Sequence, residues 1–163
     1  MTSIQPANET DVPLILNFIR QLAEYEKLSH LVIATEASIH EHVFGANPVA
    51  EVLLAYWNGA PVGFALYFRN FSTFLGQAGI YLEDLFVEPE HRGKGIGKAL
   101  LVRLAQVALE RGYGRLDWSV LDWNAPSIEF YRSLGAVPMD AWTGYRLTGD
   151  ALARLALGDR RGT

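Results

Sequence analysis

One stretch decides what this chain can fold into. It is Ile80 to Arg111, IYLEDLFVEPEHRGKGIGKALLVRLAQVALER. Its apolar runs, Ile80-Tyr81-Leu82 and Leu85-Phe86-Val87, are broken only by Glu83 and Asp84 and bounded by Gly79 and Pro89. So short a run reads as a buried strand. After the turn at Glu88-Pro89-Glu90 comes His91-Arg92-Gly93-Lys94-Gly95-Ile96-Gly97, and from there the period changes. Ile96, Leu100, Leu104, Val107 and Ala108 fall on one helical face. Strand, glycine-rich basic loop and helix together make a phosphate cradle. The glycines let backbone N–H groups converge on an oxyanion, and the helix N-terminus adds its positive dipole end.

Two familiar phosphate loops are excluded. The nucleotide-triphosphate loop fails because Gly93 and Gly97-Lys98 are too close together and Ala99 stands where a metal-binding hydroxyl is required. The dinucleotide fingerprint fails because Leu100 stands at its last glycine. What fits is Arg-x-x-Gly-x-Gly, here Arg92, Gly95 and Gly97, after a Leu-Phe-Val strand. A glycine-rich turn without ligand is the plain alternative, and the flanking strand and amphipathic helix argue against it.

At 163 residues, half of them hydrophobic, the chain suits one domain. A net charge of −4 argues against a nucleic-acid partner, which calls for a basic face. The absence of cysteine excludes disulfides, thiolate metal ligands and a cysteinyl acyl-enzyme. The N-terminus lacks a signal-peptide pattern, and no apolar run reaches membrane-spanning length. The expectation is a cytoplasmic protein with no membrane partner.

In chain order, Ser3 to Ala7 is a candidate strand. Asn8 or Thr10 caps a helix with Pro13 in its first turn and Leu14 or Ile15, Phe18, Ile19 and Leu22 on its apolar face. Thr35 opens a short helix that stops at Gly45. Val49–Trp57 and Pro61–Phe71 form a hairpin across Asn58-Gly59. Ser72 to Gly79 reads as a loop, and Arg115–Leu121 as a strand after the long helix. Asn124 caps a helix that ends at Gly135. Val137 and Gly144–Thr148 are the last strand candidates, and Asp150–Leu157 the last helix. The mixture predicts an α/β or α+β domain around a mixed sheet. It covers residues 1–157, with 158–163 expected to be a disordered tail.

A second segment, Asp122-Trp123-Asn124-Ala125-Pro126-Ser127-Ile128-Glu129-Phe130-Tyr131 followed by Leu134-Gly135-Ala136, joins the first in a family pattern. Together they resemble the GNAT superfamily of N-acetyltransferases. With Tyr25-Glu26, Tyr81-Leu82-Glu83-Asp84 and Tyr145-Arg146-Leu147, the resemblance narrows to the spermidine/spermine (diamine) and thialysine acetyltransferase branch, over roughly Ile4 to Leu155. It implies a strongly twisted mixed sheet splayed around acetyl-CoA and flanked by helices. It also implies direct attack by an amine in a ternary complex, a homodimer, and no metal.

The resemblance further implies coenzyme contacts from the backbone of Leu85, Phe86 and Val87, from the loop Arg92, Gly93, Lys94, Gly95, Ile96, Gly97 and Lys98, and from Asn124, Pro126, Ser127 and Tyr131. It makes Tyr131 the acid for the CoA sulfur. A primary amine costs about 4–5 kcal/mol to neutralise at pH 7. Glu83, interrupting an apolar strand beside the coenzyme backbone, is the candidate base acting through water. Alternation along a strand puts Glu83 and Asp84 on opposite faces, so only one is expected to serve. Substrate contacts are expected from Tyr25, Glu26, Glu83, Asp117, Trp118 and Ser119. His40-Glu41-His42 is not a metal pair, since residues two apart do not share a helical face.

One departure matters for substrate choice. The diamine enzymes carry further acids just before the glycine matching Gly144, whereas Val137-Pro138-Met139-Asp140-Ala141-Trp142-Thr143 has one, well back. That shifts the expectation from long polyamines toward a shorter diamine, an amino acid such as thialysine, or another small amine. Competing readings are a non-catalytic acyl-CoA-binding or sensor domain, disfavoured by the presence of Tyr131 and Glu83, and a nucleotide-phosphate protein.

Overall fold

A computed structural model describes residues 1–158. The chain parts into two units, Met1–Leu121 and Asp122–Thr163. The first holds a five-stranded mixed sheet in sequential order. Its strands are β1 (Thr2–Pro6), β2 (Glu51–Trp57), β3 (Ala60–Ser72), β4 (Gln77–Val87) and β5 (Leu116–Trp118). The first four pair antiparallel and β5 joins β4 in parallel, so a crossover is needed there. Helix α3 (Ile96–Glu110) supplies it. Helix α1 (Val12–Tyr25) and the short α2 (Glu36–Ile39) precede the sheet.

Local chemistry explains most boundaries. Asn58 and Gly59 both have positive φ, 50° and 85°, as a two-residue hairpin turn demands. Asn8 accepts from the backbone N–H of Thr10, while the carboxylate of Asp11 accepts from that of Asn8. Thr35 and Ser38 close a second capping box, and a π-helical turn over His40–Phe44 follows α2. The expected loop at Ser72–Gly79 is tighter than alternation suggests. β3 runs to Ser72 and β4 resumes at Gln77.

The two faces of the sheet carry different helices. Phe18 of α1 stacks on Phe64 at 5.7 Å and meets Phe86 at 6.0 Å, in a core with Ile15, Leu16, Val52 and Leu54. The other face carries α3. At its C-terminus both Nη groups of Arg111 donate to Glu51 of β2 at 2.7 Å, and Glu51 lies opposite Tyr67. Burial pushes the Tyr67 hydroxyl up to about 12, with the Glu51 charge adding to the effect. The hydrogen bonds from Arg111 hold the Glu51 carboxyl below its ordinary range despite partial burial.

In the second unit, α4 (Ala125–Ser133) starts at Asn124, whose side chain accepts from the backbone N–H of Ser127. It ends in a Schellman closure: Ala136 donates to the Tyr131 carbonyl and Gly135, at φ 87°, to that of Arg132. Helix α5 is Gly149–Ala156. The strands expected at Val137 and Gly144–Thr148 are absent from the described residues, and β5 is shorter than the expected Arg115–Leu121. A strand exists only where a ladder satisfies its backbone, and these segments are open, with Val137 and Tyr145 exposed. Apart from Gly158, the expected tail lies outside the described residues.

The Glu51–Arg111 clamp sets a prediction. A carboxyl held low in the fold contributes stability that is present above its unfolded pKa and lost as pH falls through its folded value. Both side chains are more than a third exposed, so the contribution is about 1 kcal/mol or less. Glu51→Gln is expected to lower Tm by about 2–4 °C at pH 7. The gap to wild type should narrow below pH 4 in thermal melts.

Candidate active site

The site begins with a register shift. Leu66 of β3 pairs with Asp84, but Tyr67 pairs with Leu82, which leaves Glu83 as an extra residue in β4. Such a bulge changes which way the following side chains point. Opposed residues share a face, and Leu66 packs against the α1 core. Asp84 therefore lies on the α1 face, as does Phe86 opposite Phe64. On the other side of the bulge Tyr81 stacks on Phe68 at 5.1 Å, while Leu82 shares the α3 face with Tyr67. The expectation that Glu83 and Asp84 face apart is thus corrected. The bulge interrupts the alternation on which it rested, and the two acids stand together.

Glu83 is exposed and Asp84 half-buried. Burial, and after it the charges of Glu83 and Glu26, together push the Asp84 carboxyl up to about 7. Glu26 caps the C-terminus of α1, and burial raises its pKa as well. Three carboxylates thus meet where α1 ends over β4. No cation contributes to the Asp84 environment among the described residues.

Beside this cluster β4 has an open edge. β5 pairs with it only from Ile80 to Leu82. From Glu83 to Val87, including Leu85, Phe86 and Val87, that edge has no strand partner among the described residues. The Phe86 side chain is core, so any ligand contact there is a backbone one.

The glycine loop follows directly. Gly93 and Gly95 take φ of 75° and 79°, and a Cβ at either would meet nothing within 4 Å. Gly95 is the N-cap of α3, with Ile96 buried beneath it. Gly97 packs so that a Cβ would touch Val87 Cγ2 at 4.0 Å. The loop cations are divided. Lys98 is exposed, and the Lys94 ammonium sits 5.2 Å over the Trp57 ring. Arg92 is exposed; its Nε donates to the Val87 carbonyl at 2.8 Å and its guanidinium lies 4.5 Å over the Tyr25 ring. It ties the loop to the end of α1.

On β5, Asp117 aligns with Tyr81 and Trp118 with Leu82. Asp117 and Ser119 therefore share the α1 face, where the Ser119 and Tyr81 hydroxyls meet at 2.9 Å. Trp118 belongs to the opposite face. Asp117 is already engaged, since one of its oxygens accepts from Arg115 Nε at 2.7 Å and Asn70 Nδ2 at 3.2 Å. In the second unit Asn124, Ser127 and Tyr131 recur at helical spacing along α4, with Pro126 in its first turn and Asn124 buried.

Asp84, Asn70 and Arg115 were not singled out by sequence reasoning. Two adjacent acids inside an apolar strand were the visible sign of a bulge, but Asn70 and Arg115 carried no sign. Elsewhere, His40 faces Glu9 at 3.4 Å while His42 Nδ1 donates to the Ser38 carbonyl at 2.7 Å, so the two imidazoles serve different partners. Glu88, Glu90 and His91 bring one ligand atom each within 4.8 Å of one another, and His91 Nδ1 lies 3.7 Å from Glu88 Oε2. No helix among the described residues is long and apolar enough to cross a membrane.

Comparison with known proteins agrees with this arrangement. Residues 17–136 match the model of the acetyltransferase (GNAT) family. The chain is 40% identical to a thialysine N-epsilon-acetyltransferase of Sus scrofa, over 94% of this chain and 96% of the relative. It is 32% identical to an L-ornithine N5-acetyltransferase of Arabidopsis thaliana, over 91% and 85%. Among solved structures, an integron cassette protein from the mobile metagenome of V. cholerae superposes with a TM-score of 0.79 at 29% identity, covering 95% of this chain and 97% of that one. A glycine loop at the N-terminus of α3, an open β4 edge and a matched family model converge: the chain belongs to the GNAT family of acetyltransferases.

Proposed function

We propose that the protein transfers the acetyl group of acetyl-CoA to the primary amine of a small cationic substrate, an amino acid with a side-chain amine or a short diamine, in a ternary complex. The observation that carries this reading is the cluster of Glu26, Glu83 and Asp84 beside the open β4 edge and the glycine loop. A site of uncompensated carboxylates suits an ammonium. The thialysine and ornithine acetyltransferases among the relatives support the substrate class. We treat residues 1–157 as one catalytic domain, since the family match crosses the boundary at Leu121.

In this reading the Gly93–Gly97 backbone and the α3 N-terminus hold the coenzyme pyrophosphate, with Lys98 adding charge. The backbone of Leu85–Val87 orients the thioester. Glu83 and Glu26 draw the ammonium in, with Tyr25 at the same helix end. The amine proton passes through water to Asp84 or Glu83, and the freed nitrogen attacks the thioester carbonyl. The C–S bond then breaks and the sulfur takes the Tyr131 proton; the nitrogen gives up its second proton, which returns through water to the Tyr131 oxygen, and amide and CoA leave. A carboxyl titrating near 7 suits this proton transfer better than an ordinary one. Apolar residues Met139, Trp142, Leu152 and Leu155 are exposed and support a homodimer through Met139–Leu157. Light scattering at micromolar concentration checks this; a monomer removes the dimer and leaves the chemistry.

The loop assignment is tested with a matched pair of valine substitutions. Gly95→Val and Gly76→Val both force a side chain into the left-handed region with no neighbour to strike. Both are expected to cost about 1–2 kcal/mol of stability. Only Gly95→Val is expected to weaken acetyl-CoA binding, by tenfold or more in calorimetry.

The chemical roles separate by pH. Tyr131→Phe keeps the ring, so acetyl-CoA affinity should hold while kcat falls about 10²–10⁴-fold. Asp84→Asn should remove the rise of kcat/KM near pH 7. It should also stabilise the fold in alkali. A carboxyl raised in the fold contributes stability that is present below its unfolded pKa and lost as pH rises through about 7. The variant's Tm is therefore expected to exceed wild type at pH 8–9 and to converge with it at pH 4.

A further inference from the structure

The polar strip on the α1 face has a second charged end. Gly79 leaves room for it: a Cβ there would lie 2.7 Å from Asn70 Oδ1, 3.0 Å from the Arg115 carbonyl oxygen and 3.2 Å from Arg115 Cγ, so a side chain at this position would crowd both residues that reach Asp117. Asn70 Nδ2 and Arg115 Nε both donate to the same Asp117 oxygen, Oδ2. Asn70 Oδ1 is buried without a hydrogen-bond partner, so the amide is held at this carboxylate although its own acceptor goes unused. Among the described residues, Asp117 Oδ1 and the two Nη groups of Arg115 carry no further hydrogen bond. Both side chains remain partly exposed. The outcome is a guanidinium fork beside one free carboxylate oxygen.

Asp117 is level with Tyr81, about three residues along β4 from Asp84 on the same face. At about 3.3 Å per residue, that separates the two ends by roughly 7–10 Å. The near end, Glu26–Glu83–Asp84, has excess negative charge. The far end offers both signs side by side.

Resting on the transferase reading above, we propose that Arg115 and Asp117 bind the zwitterionic head of an α-amino acid, so that Arg115 is a specificity residue selecting amino acids with a terminal amine over the corresponding diamines. The Nη groups take the α-carboxylate in the planar, two-point manner guanidinium favours. Asp117 Oδ1 accepts from the α-ammonium. The side chain then runs along the Tyr81–Ser119 strip and delivers its terminal amine to the acid cluster. A diamine would place its second ammonium against Arg115 with no carboxylate to offset the repulsion. Specificity thus comes from a repulsive element as well as an attractive one.

The test compares L-ornithine with putrescine, which lacks only the α-carboxylate, following CoA release by wild type, Arg115→Met and Arg115→Lys. Wild type is expected to prefer ornithine at least tenfold in kcat/KM. Arg115→Met should lose tenfold or more on ornithine, chiefly through KM because a remote contact serves ground and transition states alike, while putrescine turnover holds or rises. Arg115→Lys keeps the charge without the fork and should fall between the two; it carries the test if the methionine variant does not fold. Equal use of both amines by wild type, or equal losses on both in a folded variant, would overturn the assignment. No CoA release with any amine overturns the transferase reading itself.

Discussion

The extra residue in β4 is the constraint on which the site depends. Without Glu83 as a bulge, strict alternation would carry Leu82, Asp84 and Phe86 on one face, and Asp84 would sit among the same neighbours as Leu82. The shifted register gives Leu82 to the α3 core and Asp84 to the α1 side. It also marks where β4 parts from β5, whose pairing ends at Leu82. One unpaired position thus opens a backbone edge and sets two acids beside it. A bulge disrupts its ladder locally. Here the flanking pairs Phe64–Phe86 and Phe68–Tyr81 hold the strand on either side of the disturbance.

The helices secure what the bulge loosens. Arg92 fastens the glycine loop to the Val87 carbonyl and to Tyr25 at the end of α1. Arg111 fastens the other end of α3 to β2. The loop with positive-φ glycines is therefore strung between fixed points, so its N–H groups need little reorganisation to meet an anion.

What the sequence revealed, and what it hid, divides along local and non-local lines. Asn58-Gly59, the capping Asn124 with Pro126, and the period change at Ile96 are local signals, and the elements fall where they point. The acid cluster was half legible: Glu83 stood out as a polar interruption, but its partnership with Asp84 and Glu26 required knowing the β3–β4 register and where α1 ends. Pairing register belongs to two strands at once, so alternation read from one strand sets Glu83 and Asp84 apart. Gly144–Thr148 failed for the same reason, because strand-forming residues there have no ladder to join. Arg115 gave no sign, since a single arginine before an Asp-Trp strand has no periodicity to break.

The charge distribution along the α1 face ties these elements together. A half-buried carboxylate beside two others is unfavourable unless it takes up a proton or gains a cation. The protein supplies a cation to Asp117 and withholds one from Asp84. Supplying both would have removed any pull on an ammonium, and supplying neither would have left two competing cation sites along one strip. Neutralising only the distal acid gives the strip a direction, with uncompensated negative charge at one end alone. That end lies beside the open edge of β4, so in the proposed reading the asymmetry that would orient an amine would also set a proton acceptor where acetyl transfer releases a proton.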